Sequence, residues 1–174
     1  VTGVQTCALP ISARRAAAAG ATCVITPELA LTGYPPRDLL LRPAFIADAW
    51  RALESLARDL ASGPALIVGV PEPNPHVEGR ALFNSAVLLR GGRVEGRARK
   101  SLLPSYDVFD EDRYFEPAPD GPAVFDVDGQ RLGITICEDA WNDRTAFALA
   151  ITRRRYHKDP VEVLAAAEIG RAHV

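Results

Sequence analysis

Long apolar runs are missing from this chain. No stretch approaches the roughly 20 residues that a membrane-spanning helix needs, so a helical membrane span is excluded. The N-terminus also lacks a charged region followed by a long apolar one, and no signal peptide is read there. Cysteine is sparse: Cys7, Cys23 and Cys137 stand far apart, which gives neither a disulfide framework nor a metal pair. That usage fits a reducing cytoplasm and leaves open a single reactive thiol. A strong charge of one sign is absent too. The net charge is −2, with no basic patch on which to build nucleic-acid binding. There is no internal repeat and no low-complexity linker.

What is present is an ordinary globular balance. The chain has 174 residues, 48% hydrophobic and 24% charged, enough for one domain with a sizeable core. An alanine-rich helix is expected from Ser12 to Ala19, with Ser12 as cap and Gly20 as stop. Thr22 to Thr26 reads as a short β-branched strand ending at Pro27-Glu28, and Gly33-Tyr-Pro-Pro36 must be loop. From Pro43 to Ala61, Phe45, Ile46, Trp50, Leu53, Leu56 and Leu60 recur at helical spacing. Ala65 to Val70 reads as a buried strand.

Two hairpins follow. Leu82–Leu89 and Val94–Ala98 flank Gly91-Gly92, and Ala123–Val127 and Arg131–Ile136 flank Asp128-Gly129. Between them lies a long irregular segment from Lys100 to Gly121, rich in aromatics, of the kind that is usually functional. Beyond Trp141 the pattern turns helical, and Arg153-Arg154-Arg155 reads as a solvated face. The order of elements suits an α/β layered architecture with a mixed sheet.

Three residues stand where strands end. Cys137 closes Leu132-Gly-Ile-Thr-Ile136, at a strand-to-helix turn of the kind that exposes nucleophiles beside free backbone N–H groups. The alternative is a small buried hydrophobe, as most free cysteines are. Glu28 is either a general base or a solvated loop carboxylate. Lys100, taken alone, reads as a surface charge.

Their surroundings carry more. Pro27-Glu-Leu-Ala-Leu-Thr-Gly-Tyr-Pro-Pro-Arg-Asp-Leu-Leu40 resembles the glutamate motif of the nitrilase superfamily of carbon–nitrogen hydrolases. The segment Arg99 to Phe115 resembles its lysine motif, and Gly133-Ile-Thr-Ile-Cys-Glu-Asp-Ala-Trp141 its cysteine motif. Thr-Gly-Tyr-Pro-Pro-Arg-Asp-Leu and Cys-Glu-Asp-x-Trp are similar to the glutaminase domains of NAD synthetases within that superfamily. The resemblance covers Ala13 to Ala167.

The resemblance implies an αββα sandwich with mixed sheets, incomplete at both ends, and a Cys–Glu–Lys triad. Glu28 would take the thiol proton and later activate water, Cys137 would attack a glutamine side-chain amide, and Lys100 would stabilise the oxyanion. Tyr106 and Glu138 would hold the substrate amino acid. Glu111 is a candidate for the superfamily's second glutamate, with a loop surface charge as its alternative. No cofactor is implied for this domain. ATP and Mg²⁺ belong to a C-terminal synthetase domain, the partner that would receive ammonia, and a homo-oligomer is expected when intact.

Other readings are a stand-alone amidase acting on another small linear amide, or an interaction module that kept the fold without the activity. The ends, residues 1–12 and 168–174, do not resemble the family. They are read as translated sequencing-adaptor read-through, which would leave Cys7 and His173 without meaning. On that reading the chain alone is expected to be inactive.

Overall fold

The computed structural model describes residues 8–142, 156–167 and 170–173. It is built from two mixed sheets packed face to face with helices outside them. The first sheet has the order β1 (Cys23–Ile25), β2 (Ala65–Pro73), β3 (Leu82–Arg90), β4 (Arg93–Arg99). In it β1 runs parallel to β2 and the other neighbours are antiparallel. The second sheet has the order β5 (Val124–Val127), β6 (Gln130–Thr135), β7 (Gly170–His173), antiparallel and then parallel.

Strand β2 reads as an unbroken apolar run because both its faces are covered. Leu66, Val68 and Val70 pack with Val87 and Leu89 against Ala49, Leu53 and Leu56 of helix α2 (Pro43–Asp59), Leu60 just past its end, and Ala13 of helix α1 (Ala8–Ala18). Ala65 and Ile67 face the other way, joining Ala86, Leu88 and Ala98 against Phe125, Val127, Ile134 and Ile136 of the second sheet. Helix α3 (Pro160–Ala166) packs on β6 and completes the αββα order. Gly96 lets the sheets close together, since a Cβ there would lie 2.9 Å from a Phe125 ring carbon.

Both hairpin turns form where the glycines place them. Gly91, Gly92, Asp128 and Gly129 all take positive φ, as two-residue primed turns require. Strand β4 carries a β-bulge opposite Leu88 and Leu89, with Glu95 as the extra residue. Beyond the bulge, Arg99 lies on the helix-side face. It donates to Glu72 at 2.7 Å and stacks over Phe83.

Two stretches differ from the sequence pattern. Helix α1 begins at Ala8 instead of Ser12, with Pro10 in its first turn, where a missing N–H breaks no helical bond. Residues 168–174 carried no expected element, yet Gly170–His173 pairs along β6, because an unpaired strand edge accepts backbone with little regard to side chains. The expected helix just after Trp141 and the Arg153–Arg155 stretch lie outside the described residues.

Candidate active site

The site forms where chain segments leave the ends of the two sheets. Glu28 follows β1 on a loop pinned to β2: Thr26 N–H donates to Ile67 and Leu31 N–H to Gly69. The approach is so close that a Cβ on Gly69 would lie 2.3 Å from Leu29 N and 2.7 Å from the Pro27 oxygen. Only glycine fits at that point in the strand.

Lys100 is the first residue past β4, and its side chain is 0% exposed. Its Nζ donates to Glu28 Oε1 at 2.7 Å and to both Glu111 oxygens at 2.9 and 2.8 Å. Glu111 sits on a single 3-10 turn, Glu111–Arg113, within the long segment after β4. It is buried and also accepts from Tyr34 OH at 3.0 Å. Its alternative as a loop surface charge is therefore corrected, since the Lys100 ammonium makes the burial tolerable.

Cys137 opens a 3-10 turn, Cys137–Ala140, at the end of β6. It takes φ +46, a left-handed conformation that non-glycine residues adopt rarely and mostly at functional sites. The turn is held by Asp139, whose carboxylate accepts from Ile136 N–H before the cysteine and from Ser101 and Leu102 N–H after the lysine, at 2.9 to 3.1 Å. One buried carboxylate thus ties the Cys137 turn to the Lys100 segment. Tyr106 OH donates to Glu138 Oε2 at 2.7 Å, and Phe109 packs its ring against Tyr106 and Tyr34. A cavity of about 400 Å³ opens beside Tyr34, Phe109 and Glu111. Leu29, Leu40 and Phe115 supply apolar lining.

The electrostatics follow from burial and from two acids sharing one base. Burial works against the Lys100 charge, but Glu28 and Glu111 outweigh it and hold the ammonium above its usual range. Burial raises the Glu111 carboxyl, with Lys100 opposing. The Cys137 thiol is pushed up to about 11 by burial, by the Glu28 and Glu111 charges and by its hydrogen bond to Glu28, with Lys100 pulling the other way. The resting cysteine is therefore a thiol, and making it a nucleophile requires a base at hand. Burial lifts Asp139 to about 6 despite its three backbone donors. Among the described residues no group of three His, Cys, Asp or Glu side chains is arranged to hold a metal ion. No described helix is long and apolar enough to cross a membrane.

The structure brings Glu28, Lys100, Cys137 and Glu111 together and pairs Tyr106 with Glu138. It adds Asn84, Tyr34 and Asp139, which sequence reasoning had not singled out. Asn84 left one signal, a polar Asn-Ser pair inside the apolar strand Leu82–Arg90. Asp139 left none apart from its place within the cysteine motif.

An αββα sandwich with a cysteine, a buried lysine and two glutamates at its strand ends defines a nitrilase-like hydrolase. The chain belongs to the carbon–nitrogen hydrolase family, which matches residues 5–157. It is 45% identical over 135 residues to a glutamine-dependent NAD(+) synthetase of Synechocystis sp., covering 76% of this chain and 24% of that protein. It is 47% identical over 122 residues to the Xanthomonas campestris pv. campestris protein of the same name, covering 70% and 21%. The chain thus spans about a quarter of the length of these relatives. Its structure is similar to that of the Acinetobacter baumannii glutamine-dependent NAD+ synthetase, with TM-score 0.73 at 28% identity, over 97% of this chain and 28% of that one. It is also similar to an amidase from Nesterenkonia sp., with TM-score 0.63 at 26% identity, over 79% and 50%.

Proposed function

We propose that this chain hydrolyses the side-chain amide of glutamine and supplies ammonia to an ATP-dependent synthetase domain that amidates deamido-NAD to NAD. The observation that carries the reading is the single buried lysine held between Glu28 and Glu111 beside a strained, half-buried cysteine. The sequence relatives direct it to glutamine, since they are glutamine-dependent NAD(+) synthetases.

In this reading Glu28 accepts the Cys137 proton as the sulfur attacks the amide carbon. The two events run together, because a free thiolate beside two carboxylates is disfavoured. The carbonyl oxygen takes the negative charge, and Lys100 with a backbone N–H of the turn stabilises it. Glu28 then returns its proton to the leaving nitrogen, the C–N bond breaks, and ammonia departs from a thioester on Cys137. A water that gives its proton to Glu28 attacks the thioester, releasing glutamate and restoring the thiol. Glu138, bonded to Tyr106, offers a carboxylate to the substrate's α-ammonium. ATP and Mg²⁺ are assigned to the synthetase domain.

The alternative, a stand-alone amidase on another small linear amide, is favoured only by the Nesterenkonia structure. The test uses the full-length protein. Cys137→Ala should abolish glutamine-dependent NAD formation and spare formation from added ammonia, because the two chemistries occupy different sites. Equal loss of both would make Cys137 structural, and amide hydrolysis with no NAD formed from either nitrogen source would favour the amidase.

A further inference from the structure

Asn84 lies on β3 opposite Pro71 and is 1% exposed. Its backbone carbonyl accepts the Lys100 N–H at 2.8 Å, so asparagine and lysine enter the site side by side. Its Nδ2 donates to Glu28 Oε1 at 2.6 Å and reaches Glu111 Oε2 at 3.4 Å. Lys100 Nζ donates to that same Glu28 oxygen at 2.7 Å. One oxygen of Glu28 therefore carries two donors, one charged and one neutral, and the other takes neither and stays available to the Cys137 thiol, which the Glu28 charge pushes up.

The neutrality matters. A second ammonium here would attract both carboxylates without fixing either, whereas an amide donor adds direction and no charge. The rest of the side chain shows what sets its orientation. Asn84 Oδ1 is buried with no protein donor, and flipping the amide would not relieve it, because the oxygen would then face two carboxylates, which only accept. The carboxylates thus hold the amide in a pose that leaves its own acceptor unused.

We propose that Asn84 is a positioning residue that holds Glu28 in the orientation from which it serves Cys137, by donating to the same carboxylate oxygen as Lys100 and so reserving the other oxygen for the thiol. The proposal rests on the catalytic reading of Glu28 and Cys137 given above.

The experiment compares Asn84→Ala and Asn84→Asp with the wild type in the full-length protein, by kcat and KM for glutamine, pH profile and melting temperature. Iodoacetamide alkylation of Cys137, located by mass, is followed against pH in the absence of substrate. Asn84→Ala should lower kcat by about a hundredfold with KM changed less than about threefold. Its acid limb should move to higher pH, because a carboxylate that loses a donor holds its proton more tightly. Asn84→Asp should move that limb further, as a third acid joins the cluster. In Asn84→Ala the alkylation midpoint should fall, since a released Glu28 no longer raises the thiol. An acid limb and an alkylation midpoint both at their wild-type values, whatever happens to kcat or melting temperature, would overturn the proposal. If Asn84→Ala does not fold, Asn84→Ser, a shorter donor, is read by the same two midpoints. Should the wild type not hydrolyse glutamine while the alkylation midpoint still falls, the substrate assignment fails and the placement of Glu28 by Asn84 stands.

Discussion

Burial, with Glu28 and Glu111 nearby, pushes the Cys137 thiol up to about 11, and that environment makes a directional prediction. Alkylation of Cys137 by iodoacetamide should rise with a midpoint well above the ordinary cysteine value of about 8.5. In Glu28→Gln the midpoint should fall, because a nearby negative charge and an acceptor of the thiol proton are lost together. It should stay above the ordinary value, because burial, the largest cause, remains. A midpoint that rises in Glu28→Gln would place the carboxylate elsewhere. Lys100 makes the opposite case. Lys100→Met leaves Glu28 and Glu111 facing each other with no cation between them, and should cost about 3–5 kcal/mol by urea unfolding. Adding Glu111→Gln should restore part of that loss, and a double variant no more stable than the single one would deny the shared charge. At this scale the sequence was legible where a residue carried a motif with it: Glu28, Lys100 and Cys137 stood at strand ends within motifs, and the fold brings them together. Asn84 was not legible beyond its place in a polar Asn-Ser pair, because its partners are 56 and 27 residues away in the chain.

Between elements, the firmest tie is Asp139. Its carboxylate joins the turn after β6 to the segment after β4, so Asp139→Ala should leave three buried N–H groups without acceptors, at roughly 3 kcal/mol in all. The pH dependence has a definite sign. The folded carboxyl, at about 6, binds its proton more tightly than an unfolded aspartate at about 3.9. This group therefore adds stability as pH falls from about 6 toward about 4 and withdraws it as pH rises back through that window. Asp139→Ala should lower the urea midpoint at pH 7 and remove this slope from the unfolding profile. A profile with the same slope in the variant would assign the titration to another group. Element boundaries followed the sequence where turn chemistry was explicit, at Gly91-Gly92 and Asp128-Gly129. They departed where packing decides, at the first turn of α1 and at β7.

For the molecule as a whole, the two sheets approach closely where Gly96 meets Phe125. Gly96→Val should overpack it and cost about 1–3 kcal/mol, and Phe125→Leu in the same chain should recover part by returning volume to the layer. Thermal unfolding of the two single variants and the double checks this, and purely additive losses would mean the contact is not where the sheets meet. The layering was legible in the order of helices and strands and, as an αββα sandwich, through the resemblance of the three motifs. The glycine's role was not, since a residue that matters by having no side chain leaves no pattern.

The bulge at Glu95 has a consequence for which cation reaches the two glutamates. Counted back from the turn, where Arg90 faces Arg93 and Leu89 faces Val94, an unbroken ladder would bring Arg99 opposite Asn84. The extra residue advances β4 by one place, so that Arg99 sits opposite Ser85 and Lys100 arrives at Asn84 instead. Two consecutive basic residues thus part to opposite faces, the guanidinium to Glu72 and the ammonium to Glu28 and Glu111. Which of them joins Glu28 and Glu111 is settled by odd-and-even counting along one strand: the parity of a backbone irregularity selects a compact point charge over a broad planar one.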